Sequence, residues 1–308
     1  MSFSLADVPS QKGKIAIITG ANAGLGFENT LRFLQKDIKV IMACRSAEKA
    51  HTARAKLFAI VPNADLEFLQ LDLSDLASVR KFAQVYRSKY SKLDYLVNNA
   101  GIMVPPYSKT VDGFESQMAA NYFGHFLLVS LLLDLMPGTP ESRVVSLSSM
   151  GHRQGQKRIF FEDLQWEKRY SSSEAYQQSK LACLMFANEL DHPFKKAGKK
   201  ILSVAAHPGA TSGTDLVRHI PKLLYFFIKH LVMPVISHRV SSGVQPQLMA
   251  ALSPSAQGGD YYGPQKFNEM KGPPGLVRKL PYSEDEVVMQ KLWDISVKLT
   301  GADYGELA

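Results

Sequence analysis

The stretch that most constrains this chain runs from Lys14 to Gly26. Lys14-Ile15-Ala16-Ile17-Ile18-Thr19 is a short apolar run that reads as a buried strand. It passes directly into Gly20-Ala21-Asn22-Ala23-Gly24-Leu25-Gly26, and a helical pattern follows to about Lys36. Strand, glycine-rich turn and helix, in that order, form a cradle for phosphate. The glycines let the backbone approach the ligand, and the helix start offers unpaired N–H groups and the positive end of its dipole. The spacing is G-x-x-x-G-x-G rather than G-x-G-x-x-G, so the turn needs support from the rest of the chain.

That support is an alternation of strands and helices. Lys39–Ala43 reads as a second strand, Leu66–Leu73 as a third with its exit, Leu93–Val97 as a fourth, Arg143–Ser148 as a fifth and Ile201–Ala206 as a sixth. Helical patterns separate them, among them Phe114–Met136, stopped by Pro137-Gly138, and Glu174 to about Lys196. Such alternation predicts one doubly wound α/β unit with a mainly parallel sheet and ligands at the carboxyl ends of the strands. With 308 residues and 45% hydrophobic content the chain can bury a large core. No linker or repeat divides it, so residues 1–308 are expected to form a single dinucleotide-binding and catalytic domain.

The groups that carry chemistry fall at those strand ends or on the following helices. Tyr176 and Lys180 stand four apart in a helix, which places them one turn apart on one face. A free phenol titrates near ~10, too high for proton transfer at neutral pH, and a neighbouring ammonium favours its phenolate. Such a pair suits general acid–base work, although Tyr-x-x-x-Lys also arises in helices by chance. Ser148 and Ser149 end the fifth strand. Asn121 lies within an apolar helix, where a buried amide must be hydrogen-bonded. Asn98-Asn99-Ala100-Gly101 ends the fourth strand with small and amide residues suited to close packing on a cofactor, and also suited to a plain turn.

The end of the second strand bears on the choice of cofactor. An acid there would accept the adenosine ribose hydroxyls. Cys44-Arg45-Ser46 instead presents Arg45, whose charge and paired donors suit a 2′-phosphate. NADP(H) is therefore expected over NAD(H). Asp72, beside Leu73 at the exit of the third strand, accepts from an adenine amino group or caps the helix begun near Asp75.

Taken together these features resemble the short-chain dehydrogenase/reductase family over about residues 12–265. Thr19-Gly20-x-x-x-Gly24-x-Gly26 is similar to the family's cofactor loop, and Asn98-Asn99-Ala100-Gly101 to its fourth-strand motif. Asn121, Ser149, Tyr176 and Lys180 match its catalytic tetrad in order, and His207-Pro208-Gly209 matches its motif after the sixth strand. The Ala43-Cys44-Arg45 strand end, the long insertion before Tyr176 and Leu292-Trp293 in the last helix look like the retinol dehydrogenase and protochlorophyllide reductase branch. The resemblance implies hydride exchange between NADP(H) and a carbonyl or alcohol, often hydrophobic. Ser149, or Ser148 if the pair is offset by one, would polarise the carbonyl. Tyr176 would supply the proton. Lys180 would bind the nicotinamide ribose and favour the Tyr176 phenolate, and Asn121 would support a relay water. Cofactor contacts are implied for Gly20, Asn22, Gly24, Leu25, Gly26, Arg45, Asp72, Leu73, Asn99, Ala100, Gly101, Tyr176, Lys180, Pro208 and Gly209. The family's nicotinamide-amide contact falls on Thr211 or on Thr214, because the chain is about one residue longer there.

The remaining features set expectations about surroundings. The net charge is +8, with basic groups at Arg153/Lys157/Arg158 and Lys195–Lys200 that read as solvated faces; no nucleic-acid module is recognisable. Cys44 and Cys183 have no metal-ligand spacing and read as buried free thiols. The first fourteen residues hold no apolar run of anchor length, so a cytoplasmic protein is expected. The apolar segment 220–236 suits a lid over a hydrophobic pocket (within about 210–240), a dimer face or peripheral membrane contact. Residues 149–176 read as a surface loop, 271–275 as loop, and Glu284–Leu299 as a helix started by a Ser283/Glu286 capping box. Pairing of copies through the Phe114 and Glu174 helices is implied only by the resemblance.

Overall fold

A computed structural model describes residues 3–139, 141–196, 198–211 and 237–305. Eight strands form one sheet: β1 (Ile15–Thr19), β2 (Lys39–Cys44), β3 (Leu66–Gln70), β4 (Tyr95–Asn98), β5 (Arg143–Leu147), β6 (Leu202–Ala206), β7 (Tyr261–Lys266) and β8 (Lys271–Leu276). Their order across the sheet is β3-β2-β1-β4-β5-β6-β7-β8. All neighbours are parallel except β7 and β8, which pair antiparallel. The order reverses between β1 and β4, and the crevice beyond their carboxyl ends is where such sheets bind ligands.

Alternation along each strand assigns side chains to two layers. On one face Ile17, Ile41, Leu96 and Val144 pack with helices α3 (Leu76–Lys89), α4 (Gly124–Leu132), α5 (Ser172–Lys196) and the last helix, α7 (Glu286–Thr300). On the other, Ala16, Ile18, Val40, Met42, Val145 and Val204 pack with α1 (Gly24–Leu34), α2 (Ala47–Ile60) and α6 (Gln245–Leu252). The central strands are therefore buried on both sides, which is why they read as continuous apolar runs.

Four sequence expectations change in detail. The Phe114–Met136 helix is not continuous. A single turn at Ser116–Met118 passes into a π-helical turn at Ala119–Phe123 before α4 begins. The π turn sends the Gly124 N–H to the Ala119 carbonyl, five residues back, in place of the Ala120 carbonyl that an α-helix would use. The segment Ser116–Leu135 is long and apolar enough to cross a membrane, yet 78% of its apolar window is buried inside the protein.

The 149–176 excursion is anchored rather than superficial. It carries short 3₁₀ turns at Met150–Arg153 and Phe161–Asp163, and Ile159, Leu164 and Trp166 are buried. Residues 271–275 form most of β8; its two prolines are tolerated because it is the sheet's outer strand. α7 starts at Asp285, whose side chain accepts from the Val288 N–H, while the Ser283 hydroxyl donates to the Leu280 carbonyl in the preceding turn. The segment read as a lid lies almost wholly outside the described residues, as does Thr214.

Candidate active site

The glycine turn closes the carboxyl end of β1. Gly20 and Gly24 adopt φ of 65° and 52°, in the left-handed region that glycine tolerates. Gly26 is required by proximity: a Cβ there would stand 2.2 Å from the Gly20 carbonyl oxygen. Ala23 precedes α1 in extended conformation and offers no side-chain cap, so the first N–H groups of an eleven-residue helix are left to another acceptor. This close-packed turn and uncapped helix start fit a dinucleotide diphosphate. Below them Cys44 is buried, and burial pushes its thiol up to about 12.

Thr19 ties the turn to the fourth strand. Its hydroxyl oxygen accepts from the Asn99 and Ala100 N–H groups at 2.9 and 2.8 Å, and the Asn99 amide donates to the Thr19 carbonyl at 2.7 Å. The Thr19 hydroxyl also lies 2.9 Å from His125 Nε2, and His125 Nδ1 lies 2.9 Å from the Asn121 carbonyl oxygen. A carbonyl only accepts, so the imidazole proton sits on Nδ1 and Nε2 accepts from Thr19. Burial lowers the pKa of His125 to about 4 and keeps it neutral.

Arg45 and Asp72 stand where the sequence places them, at the ends of β2 and β3. The Arg45 side chain is 73% exposed, and its Nη1 lies 3.9 Å from Asp72 Oδ2. Asp72 accepts from the Ser74 N–H at 2.9 Å, and the cap of α3 is Asp75 instead. Leu73 is buried against the helix start, where a Cβ on Gly124 would come 2.4 Å from the Leu73 carbonyl oxygen.

The catalytic candidates converge from three elements. Lys180 is buried, and its Nζ donates to the Leu147 carbonyl at 3.0 Å and lies 6.0 Å from the Tyr176 ring centre. A Cβ on Gly101 would stand 3.1 Å from Asn121 Oδ1 and 3.3 Å from Lys180 Nζ, so the fourth-strand motif, Asn121 and Lys180 share one pocket wall. A Cβ on Gly151 would stand 3.4 Å from both Ser149 Oγ and Tyr176 Cε1, which brings those two side chains to the same point. The two serines divide their work. The Ser148 hydroxyl is buried and donates to the Lys180 carbonyl at 2.7 Å, whereas Ser149 Oγ is part-exposed beside Tyr176 and accepts from the Gly151 N–H.

Asn121 holds its surroundings in place. Its side chain accepts from the Ile102 N–H and donates to the Ile102 carbonyl and Ser179 Oγ. Its carbonyl, within the π turn, accepts from His125 and from the Cys183 thiol. Beyond β6, Gly209 has φ 68°, and a Cβ there would stand 2.4 Å from the Met270 carbonyl oxygen. The Thr211 hydroxyl donates to the Pro208 carbonyl at 3.1 Å.

Three polar residues beside the site have no signal in the local sequence. His152 donates from Nδ1 to the Ser149 carbonyl. Arg153, expected as part of a solvated basic face, is paired with Glu269. Glu269 also meets His207 at 3.1 Å. His125, a further residue of the site, does have a signal in its spacing, one helical turn beyond Asn121.

Comparisons with known proteins identify the family. The family model described as short chain dehydrogenase matches residues 14–223. Mouse Retinol dehydrogenase 11 is 37% identical over 294 residues, covering 94% of this chain and 87% of that protein. Mouse Retinol dehydrogenase 14 is 38% identical over 302 residues, covering 94% and 86%. A solved structure from Mycobacterium Paratuberculosis superposes with TM-score 0.81 at 36% identity, covering 99% of this chain and 100% of that one. The RhlG/NADP active-site complex of Pseudomonas aeruginosa shares the fold, with TM-score 0.62 at 24% identity over 82% of this chain and 94% of that one. The chain belongs to the short-chain dehydrogenase/reductase family, in its retinol dehydrogenase-like branch, and is an oxidoreductase acting on CH–OH and C=O groups with a nicotinamide cofactor.

Proposed function

We propose that this enzyme uses NADP(H) and interconverts a hydrophobic carbonyl compound and its alcohol, with retinal-like and other aldehydes or ketones as the substrate class. The observation that carries the reading is the convergence of Ser149 Oγ and the Tyr176 ring beside Gly151, with Lys180 and the fourth-strand motif behind them. When bound, the cofactor supplies or accepts the hydride. The protein does the rest. The Ser149 hydroxyl donates to the substrate oxygen and polarises it. The Tyr176 hydroxyl gives that oxygen a proton in reduction and takes it back in oxidation. Lys180 spends one of its three donors on Leu147 and offers the others to the nicotinamide ribose. Asn121 fixes Ile102 and, through Ser179, the first turns of α5.

Gly20, Asn22, Gly24, Leu25 and Gly26 hold the diphosphate, and Asp72 and Leu73 flank the adenine. Asn99, Ala100, Gly101, Pro208, Gly209 and Thr211 enclose the nicotinamide end. The exposed Arg45 guanidinium at the end of β2 supports the choice of the 2′-phosphorylated cofactor. The retinol dehydrogenase names of the relatives and the apolar sequence 220–236 support a hydrophobic substrate.

The test is NADPH consumption with a panel of retinal, medium-chain and aromatic aldehydes, ketosteroids and quinones. Turnover of one class that is lost in Tyr176→Phe, with cofactor affinity retained, is the expected result. Turnover surviving in Tyr176→Phe would sink the mechanism. Tight cofactor binding with no turnover of any class would favour a sensor or scaffold role. Arg45→Ala should weaken NADPH about tenfold and leave NADH unchanged.

A further inference from the structure

The hairpin between β7 and β8 turns through Phe267, Asn268 and Glu269 at φ 53°, 51° and 65°. Three successive non-glycine residues in the left-handed region are costly, and such strain persists only where surrounding contacts hold it. The contacts here converge on one carboxylate. Arg153 grips Glu269 with both terminal nitrogens, Nη1 at 2.9 Å from Oε1 and Nη2 on Oε2. His207 Nε2 lies 3.1 Å from Oε2.

Proton positions in this cluster follow from its partners. The Gly209 N–H donates to His207 Nδ1 at 3.2 Å, so Nδ1 is the acceptor and Nε2–H donates to Glu269. His207 is fully buried, and its ring fits because position 263 is glycine: a Cβ there would stand 2.1 Å from Nε2. His152 donates from Nδ1 to the Ser149 carbonyl and receives the Arg153 Nε–H on Nε2 at 3.3 Å. The hairpin backbone closes the arrangement, with the Met270 carbonyl accepting from the Ala210 N–H at 2.8 Å. One acidic side chain thus spans two walls of the site, the Ser149 wall through Arg153 and the turn after β6 through His207. Burial would raise the Glu269 pKa, but hydrogen bonds from His207 and Arg153 outweigh it and hold the carboxylate at about 2.

We infer that Glu269 is a positioning residue: by accepting from His207 it sets the turn His207-Pro208-Gly209 against the nicotinamide half of the cofactor. This rests on the cofactor placement proposed above. It assigns to the hairpin, through one carboxylate at its turn, control of how the reactive end of the dinucleotide is held.

Three variants of the full-length protein separate this role from a purely structural clamp. Glu269→Ala removes both contacts. Glu269→Gln keeps an acceptor for His207 but loses the charge that Arg153 needs. The exchange Arg153→Glu with Glu269→Arg restores an ion pair but offers His207 only donors. Each is titrated with NADPH and with adenosine 2′,5′-bisphosphate, which lacks the nicotinamide, and its melting temperature is recorded. The expected result is a loss of NADPH affinity of about tenfold in Glu269→Ala and in the exchange, with Glu269→Gln close to wild type. Affinity for the bisphosphate should stay within about twofold throughout. The opposite order, with the exchange near wild type and Glu269→Gln as weak as Glu269→Ala, would overturn the inference, as would equal losses for both ligands. Failure of the wild type to bind the bisphosphate would instead refute the choice of NADP(H). NADH and ADP-ribose then replace the two probes, and the same pattern of losses supports or overturns the role of Glu269.

Discussion

His125 Nδ1 lies 2.9 Å from the main-chain carbonyl oxygen of Asn121, which sits within the π turn. The same ring meets Thr19 on its other nitrogen, so one neutral imidazole joins the π turn to the turn that closes β1. His125→Phe would take from the buried Thr19 hydroxyl its nearer acceptor, leaving the Val97 carbonyl at 3.3 Å, and would weaken the hold on a buried carbonyl. It should cost about 2–4 kcal/mol in urea unfolding, well above an exposed substitution. A loss below ~0.5 kcal/mol would show that the bridge contributes nothing.

Acid sensitivity follows from the buried imidazoles. Burial lowers His125 and His152 to about 4 from an ordinary 6.5. The folded protein therefore binds fewer protons than the unfolded chain between those values. Their contribution is complete above pH 6.5 and is lost progressively as pH falls towards about 4, by up to about 1.4 kcal/mol per pH unit for each. Glu269, held at about 2, adds stability above its ordinary 4.5 that fades only as pH falls through that lower range. Melting temperatures from pH 8 to 4 should decline mainly below 6.5, and the decline should be shallower in His125→Phe, which keeps only the His152 ring of the two.

The adjacent serines should separate in two assays. Ser149→Ala removes a hydroxyl beside Tyr176 and should lower kcat about 10²-fold or more with an unchanged melting temperature. Ser148→Ala removes the buried hydroxyl that the Lys180 carbonyl accepts from in addition to its own helix and should cost about 1 kcal/mol of stability while most turnover survives. The reverse pattern would exchange their roles.

Gly26→Ala tests the cradle. The added methyl would meet the Gly20 carbonyl oxygen at 2.2 Å and the Asn99 amide at 2.6 Å. Backbone cannot yield as a flexible side chain does, so the turn must open. Cofactor affinity should fall at least about tenfold, with a stability loss of about 1–3 kcal/mol. Unchanged affinity in calorimetric titration would mean that the turn does not hold the diphosphate.

Much of this is legible from the chain because local pattern and final environment coincide. β1, β2, β4, β5 and β6 are buried on both faces almost throughout, so their largely apolar runs are easily read. The glycine turn, Asn98–Gly101, Tyr176 and Lys180 each lie at a strand end or on one helix turn, where spacing alone places them. What escapes depends on partners far away in sequence. Glu269 lies 116 residues from Arg153, and nothing near either residue announces their pairing. The π turn is hidden because Ala119–Phe123 has the composition of an ordinary core helix, and its distortion becomes visible only in the backbone bond from Gly124 to Ala119. β8 is hidden by Pro273 and Pro274, residues that disfavour any strand but an outermost one.

Those two prolines also limit the width of the sheet. An outer strand normally offers a row of N–H groups on which another strand can grow. Successive N–H groups point alternately to the two sides of a strand, so one of the adjacent Pro273 and Pro274 removes a donor from the free side, and this margin is a weakened template for a further strand. Lateral growth of the sheet, whether by a partner peptide or by misassembly of crowded copies, would begin more readily at β3, on the opposite margin.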